Sequence, residues 1–331
     1  MRRKASLVLL AFAVFFAAMA PMLRWYAFPR LAKVPPSQYQ DMVLEAKPAT
    51  LLDYNDNMKV KQVPKVTVVQ TLKGNVEESR RIERTAGRDV VVWDALAYIV
   101  DDKGRMVSRL PERYIFDAHT QDPVHATGEM VDGDPVRRGG IEFKWPFLVE
   151  KRDYQYFDAQ ARTTAPIHYE GTRTFRGLEV YYFEQTIPWT KVPMPKTMPI
   201  PGVTPDVIAK SGMERWYTTK RMYWVDPVTG APVNGEEIHK EELRNASKMG
   251  LPQDTMTVFA GHVKIREDYL QHTVDLVKSQ RLQVLLMVSY LPWTFAVLAV
   301  LLLALALWLE ARSRRPQDPP RPVPEPTPAA V

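Results

Sequence analysis

The chain has 331 residues, with 44 Lys+Arg against 38 Asp+Glu and no cysteine. That length holds one large domain or two modest ones, and the missing cysteine excludes disulfide frameworks, thiolate metal sites and a cysteine nucleophile. A hydrophobic share of 46% suits an ordinary soluble protein, but the apolar residues concentrate at the two ends.

Residues 1–4 are short and basic, ending Arg2-Arg3-Lys4, and would lie in the cytoplasm. The 19 residues 5–23 carry no charge. As a helix they measure about 28 Å, enough to cross a bilayer core. A cleavable signal with Ala18-Met19-Ala20 before the cut would leave Pro21 first, a poor cleavage position. The apolar run also continues into Trp25-Tyr26, which suits an interfacial belt. Residues 5–27 therefore read as an uncleaved signal anchor or transmembrane helix.

Residues 28–262 read as a mostly β (α+β) domain: an antiparallel, hairpin-rich sheet, curved or barrel-like. One pattern recurs four times, with aromatic and β-branched residues, an aspartate, and an apolar restart. It runs from Tyr98 through Asp101 to Val107, Tyr114 through Asp117 to Val124, Tyr154 through Asp158 to Ile167, and Tyr223 through Asp226 to Val233. Aspartate accepts hydrogen bonds from its own following backbone, so each reads as a turn between two strands. In the fourth, Gly230 is expected at positive φ, so that Gly230→Val would cost about 1–2 kcal/mol. Further strands are expected at 66–72, 90–93, 141–143, 178–186, 216–220 and 256–259. Helices are expected at 37–44 behind Ser37, at 205–210 behind Thr204 with Pro205 in the first turn, and through 263–281.

Residues 188–205 hold six prolines and read as extended chain outside the sheet. Trp189, Val192, Met194, Met198 and Ile200 on this segment, with Trp145, Phe147 and Tyr156, are the candidate contacts for an apolar or lipidic ligand or an envelope partner. A plain cover over the sheet is the structural alternative, as is a dry core for the aromatic rings. Beyond a juxtamembrane helix at 263–281, residues 282–309 are 28 without one charge and read as a second transmembrane helix that tilts or begins outside the bilayer. Residues 310–331 form a proline-rich tail, expected to be disordered. Arg312, Arg314, Arg315 and Arg321 follow the second span as Arg2, Arg3 and Lys4 precede the first. The positive-inside rule then places the protein in the plasma membrane with both termini cytoplasmic and 24–281 outside. The excess positive charge sits at these ends and is a topology signal, with no nucleic-acid partner implied.

No phosphate loop, nucleophile elbow or metal-binding motif occurs, and no catalytic residue, metal site or cofactor is expected. Asp117, His119, Asp122 and His125 lie across a turn and read as exposed. Glu236/Glu237, Asp132/Asp134 and Arg137-Arg138 read as solvated. Trp93, Glu112-Arg113-Tyr114-Ile115-Phe116-Asp117, Phe143-Lys144-Trp145-Pro146-Phe147, Glu150 to Asp158 and Tyr223-Trp224-Val225-Asp226-Pro227-Val228-Thr229-Gly230 resemble an actinobacterial two-pass envelope family of unknown function, sometimes called porin PorA. The resemblance runs over nearly the whole chain and implies topology without catalytic residues. The expected function is a non-enzymatic envelope protein that binds or passes an apolar ligand or meets a partner. The alternatives are an enzyme acting on envelope glycan or lipid through acidic residues, and a porin-like assembly. Oligomeric state is not legible.

Overall fold

In a computed structural model, residues 2–54, 56, 58–199, 202, 204–245 and 255–313 are described. Ile200 and residues 314–331 of the expected tail lie outside them, whereas residues 310–313 of that tail are helical. The chain divides into two units, residues 1–31 with 285–331, and residues 32–284.

The first unit is an antiparallel helix pair. Helix α1 (Arg2–Pro21) continues through a π-helical turn (Met22–Ala27) into the short α2 (Phe28–Leu31), and a second π-helical turn (Leu286–Tyr290) leads into α6 (Leu291–Ser313). Ser6 Oγ donates to the Ala306 carbonyl at 3.1 Å, and the Phe16 and Phe295 rings meet at 5.4 Å. Arg24 donates to the Val288 carbonyl at 2.6 Å, within the opposite π-turn. A π-turn shifts the carbonyl pairing of its helix, and the guanidinium supplies a donor there. Most of the remaining apolar surface is exposed, with Trp25 at 72% and Trp293 at 69%. Both helices are apolar and long enough to cross a membrane.

The second unit is a 13-stranded, wholly antiparallel sheet: β1 (Tyr39–Asp53), β2 (Lys59–Val63), β3 (Val66–Gly74), β4 (Val90–Val100), β5 (Met106–Asp117), β6 (Met130–Val131), β7 (Asp134–Pro135), β8 (Tyr154–Asp158), β9 (Thr163–Phe175), β10 (Leu178–Val192), β11 (Met213–Val225), β12 (Pro232–Asn245) and β13 (Thr255–Ile265). The order is β7-β6-β5-β4-β3-β1-β13-β12-β11-β10-β9-β8, with β2 paired to β1. The first and last long strands lie side by side at the centre, so the sheet is two meanders joined at β1 and β13 and remains open.

All four aspartate turns form. Asp101 Oδ1 accepts from the amides of Lys103 and Arg105, Asp117 Oδ1 from His119 and Thr120, Asp158 Oδ1 from Ala161, and Asp226 Oδ2 from Val228 and Thr229. The second returns only as a single bridge, Phe116 to Pro123. The expected strands lie within β3, β4, β10, β11 and β13; residues 141–143 instead make one parallel bridge, Ile141 to Tyr156.

Three further expectations fail. Residues 37–44 enter β1, because Met42, Val43 and Leu44 register against Gln70, Val69 and Val68 of β3, and pairing overrides a local cap. The juxtamembrane helix, α5 (Glu267–Leu285), starts four residues late because Val263–Ile265 complete β13, although Leu270, Val274 and Val277 do form its buried face. Residues 188–192 belong to β10: Thr190 pairs with Tyr217, and a bulge after Ile187 accommodates Pro188 without a lost ladder bond. The helix over 205–210 forms as α4 (Pro205–Lys210). Helix α3 (Val76–Ala86) is unforeseen; Asn75 caps it through Glu78 N, and Gly87 ends it at φ 67°.

Candidate functional site

The inward face of the sheet is polar at its middle. Along β11, Arg215, Tyr217, Thr219 and Arg221 occupy alternate positions, and along β12 Glu237, His239 and Glu241 do the same, so the pleat directs both sets to one side. Arg221 donates to Asp158 at 2.5 Å, to Glu237 at 3.2 Å and to the Tyr217 hydroxyl at 3.1 Å. Tyr217 in turn meets Asp158 and Glu237, each at 3.2 Å. The His239 ring lies between Glu237 and Glu241, 2.8 Å from each, and Arg215 bonds Glu241 at 2.8 Å. Burial disfavours charge on Glu237, His239 and Glu241, and their partners reverse it. His239 is pulled down by burial but raised to about 9 by its bonds to Glu237 and Glu241. Burial raises Glu241, yet Arg215 and His239 bring it to about 2, and Arg221 holds Glu237 well below the usual carboxylate range. Two guanidiniums and one imidazolium thus face three carboxylates.

A second cluster lies where the two ends of the sheet approach. Arg138 is fully buried between the rings of Tyr114 and Phe157, at 5.1 and 4.7 Å. It bonds Glu142 at 2.6 Å, Glu112 at 3.0 Å and the Arg113 carbonyl at 2.9 Å, and lies 3.4 Å from Glu129. Here three carboxyl groups face one cation. Burial raises Glu112, Glu129 and Glu142 alike, and the neighbouring Glu142 carboxyl raises Glu112 further. The expectation of solvated side chains thus fails for Arg138 and Glu237, and also for Asp132, whose carboxylate accepts from Lys196 N. Asp134 is only partly covered and pairs with Arg162 at 2.7 Å. Of the histidine turn, His119 contacts the Ala32 carbonyl and Asp89, at 3.1 and 3.0 Å.

The predicted ligand contacts fall into four places. Trp145 and Tyr156 are buried in one cluster with Phe183 and Tyr223, and Tyr156 donates to the Tyr223 hydroxyl at 3.1 Å. Phe147 lies nearby, half-buried under the Lys144 ammonium. Trp189 lies on the outward face, with the Arg244 guanidinium 4.2 Å from its ring. Val192 is buried with Ile187 and Tyr217. Met194 and Met198 line a cavity of about 30 Å³ with Tyr54, Ile99, Val107 and Ile208. That volume holds about one water. The chain there is held from both meanders: Arg215 donates to the Pro193 carbonyl at 2.9 Å, Arg109 to Thr197 at 3.1 Å, and Lys196 pairs with Asp134. The interior charges were missed, although Glu-x-His-x-Glu and Arg-x-Tyr-x-Thr-x-Arg at strand spacing were the signal for one polar face.

The family model described as "Porin PorA" matches residues 5–308. The chain is 25% identical to a "Porin PorA" of Corynebacterium resistens, over 63% of this chain and 68% of that one. It is 21% identical to a "Porin PorA" of Corynebacterium amycolatum, over 95% of this chain and all of that one. Two apolar helices, a β-rich unit between them and a family match over nearly its full length mark this membrane protein as a member of the porin PorA family.

Proposed function

We propose that the protein is a non-enzymatic component of the cell envelope that works as a porin-like assembly, with the membrane path between the helix pairs of several copies. Both termini are then cytoplasmic and the β-rich unit is outside, as the terminal basic residues favour. The observation that carries this reading is the filled interior of that unit. The charges around Arg221 and His239 neutralise one another, and the cavities at Met194 and at Arg162 measure about 30 and 10 Å³. Such spaces admit no solute stream and no acyl chain, so the interior of one copy favours neither a through-channel nor lipid storage. The apolar helices cannot line water as a single pair either. Charge neutralisation of Asp158, Glu237 and Glu241 also leaves these carboxylates no free general acid or base to offer.

Purified full-length protein, sized by native mass spectrometry from detergent and then tested in planar bilayers, decides the matter. Conductance steps are expected from oligomeric fractions alone. Conductance by a monomer, or none from any fraction, overturns the reading.

A further inference from the structure

The sheet is open in its backbone pairing, yet its ends are joined by a short segment, residues 136–145, beside the partly exposed Arg162–Asp134 ion pair. On one side this segment runs along the edge strand β8: Ile141 N donates to Gln155 O at 2.9 Å, Phe157 N to Ile141 O at 3.0 Å, and Gly139 N to Thr164 Oγ1 at 3.0 Å. The approach requires glycine, because a Cβ at Gly140 would overlap the Gln155 carbonyl. On the other side it is tied to β5 by Arg138, with Glu112 and the Arg113 carbonyl, and by Phe143, which packs on Tyr114 of β5 and Trp93 of β4. Val131 and Phe157 pack across the same seam.

We propose that residues 136–145 are a proton-held latch that closes the seam of the sheet and lets go when the carboxyl groups around Arg138 all ionise. One guanidinium balances one carboxylate; the other two stay in this dry site at low cost only while protonated. Among the described residues no other cation is in hydrogen-bond contact with these carboxyl groups. From β5 it is faced by Glu112 and Tyr114, and from the chain before β6 by Glu129, with His125 at 4.0 Å. The segment itself contributes Arg137, Arg138 and Glu142, β8 contributes Tyr156 and Phe157, and β11 contributes Arg221 and Tyr223. Arg221 is the nearest help for Glu142, but it is already committed to Asp158 and Glu237. Glu129 Oε1 accepts no hydrogen bond at all. A folded-state carboxyl with a raised pKa binds its proton more tightly than in the unfolded chain, so the closure it supports is complete at low pH and weakens as pH rises.

The latch does not depend on the assembly reading, since it is read on backbone amides and not on conductance. Hydrogen exchange of the full-length protein in detergent, corrected for intrinsic rates, should show protection of residues 139–142 and 155–157 falling at least tenfold between pH 6 and pH 9. Protection in β3 and β4 should hold. Glu129→Gln should flatten that pH dependence, and Glu112→Gln should do so where it folds. A disulfide from Gly139→Cys with Thr164→Cys, whose facing carbons are about 3.3 Å apart, should abolish the loss at the seam. An unchanged pH dependence in Glu129→Gln, or a loss spread evenly over the sheet, overturns the latch.

Discussion

Gly230 shows how much one residue can carry. Its φ is 73°, as the turn pattern implied, but conformation is the smaller part of its importance. A Cβ there would overlap the backbone carbonyls of Trp145 and Pro146, while Trp145 N donates to the Gly230 carbonyl at 2.9 Å. Backbone carbonyls cannot swing away as a side chain can. Gly230→Val should therefore cost about 3 kcal/mol or more, above the strain term alone, read as a lowered denaturation midpoint. His239 supports a pH prediction. With its pKa raised from 6.5 to about 9, its stabilising effect is complete below pH 6.5 and is lost as pH rises through 9. Glu241, lowered from 4.5 to about 2, stabilises above pH 4.5 and loses that effect as pH falls through 2. An NMR titration should find the His239 imidazole still doubly protonated at pH 7.5; a midpoint near 6.5 would refute the ion chain. Arg221→Met should cost about 3–5 kcal/mol, because it strands Asp158 as a buried charge without a cation. Similar urea midpoints for the variant and the native chain would count against that.

Among the elements, the four hairpins were legible because an aspartate turn is a local event, satisfied by amides two to four residues away. Strand β1 was not, since its partners β3 and β13 lie in distant parts of the chain and the Ser37 signal is equally compatible with a helix. In the helix pair, the contacts 6 with 306, 16 with 295 and 24 with 288 keep one antiparallel register. If residues 5–23 fill the hydrocarbon core, that register sets 289–307 opposite them, and 282–288 begin outside it. The proposed orientation is testable in this cysteine-free chain. Cysteines replacing Lys103, at the exposed tip between β4 and β5, and Ala311 should label oppositely with an impermeant maleimide on intact cells. Labelling at 311 with protection at 103 would invert the topology.

For the molecule as a whole, the sequence by itself determined the two apolar ends, the antiparallel class, the aspartate turns and the family, because each is written in neighbouring residues or in a period of two. Only the tertiary structure decided where the polar residues of those strands face. The aromatic side chains, read as ligand contacts or as a dry core, pack against one another: Trp145 lies 5.1 Å from Phe183 and 5.4 Å from Tyr223 by ring centroid. Arg138 and Asp132, expected in solvent, instead lie in the interior. Alternation assigns residues to one face or the other, but which face becomes the inside depends on how the whole sheet curls and what closes it. The closing segment carries Arg138, a residue whose burial has no local signature, because the carboxyl groups that tolerate it come from β5 and from the chains on either side of β6 and β7.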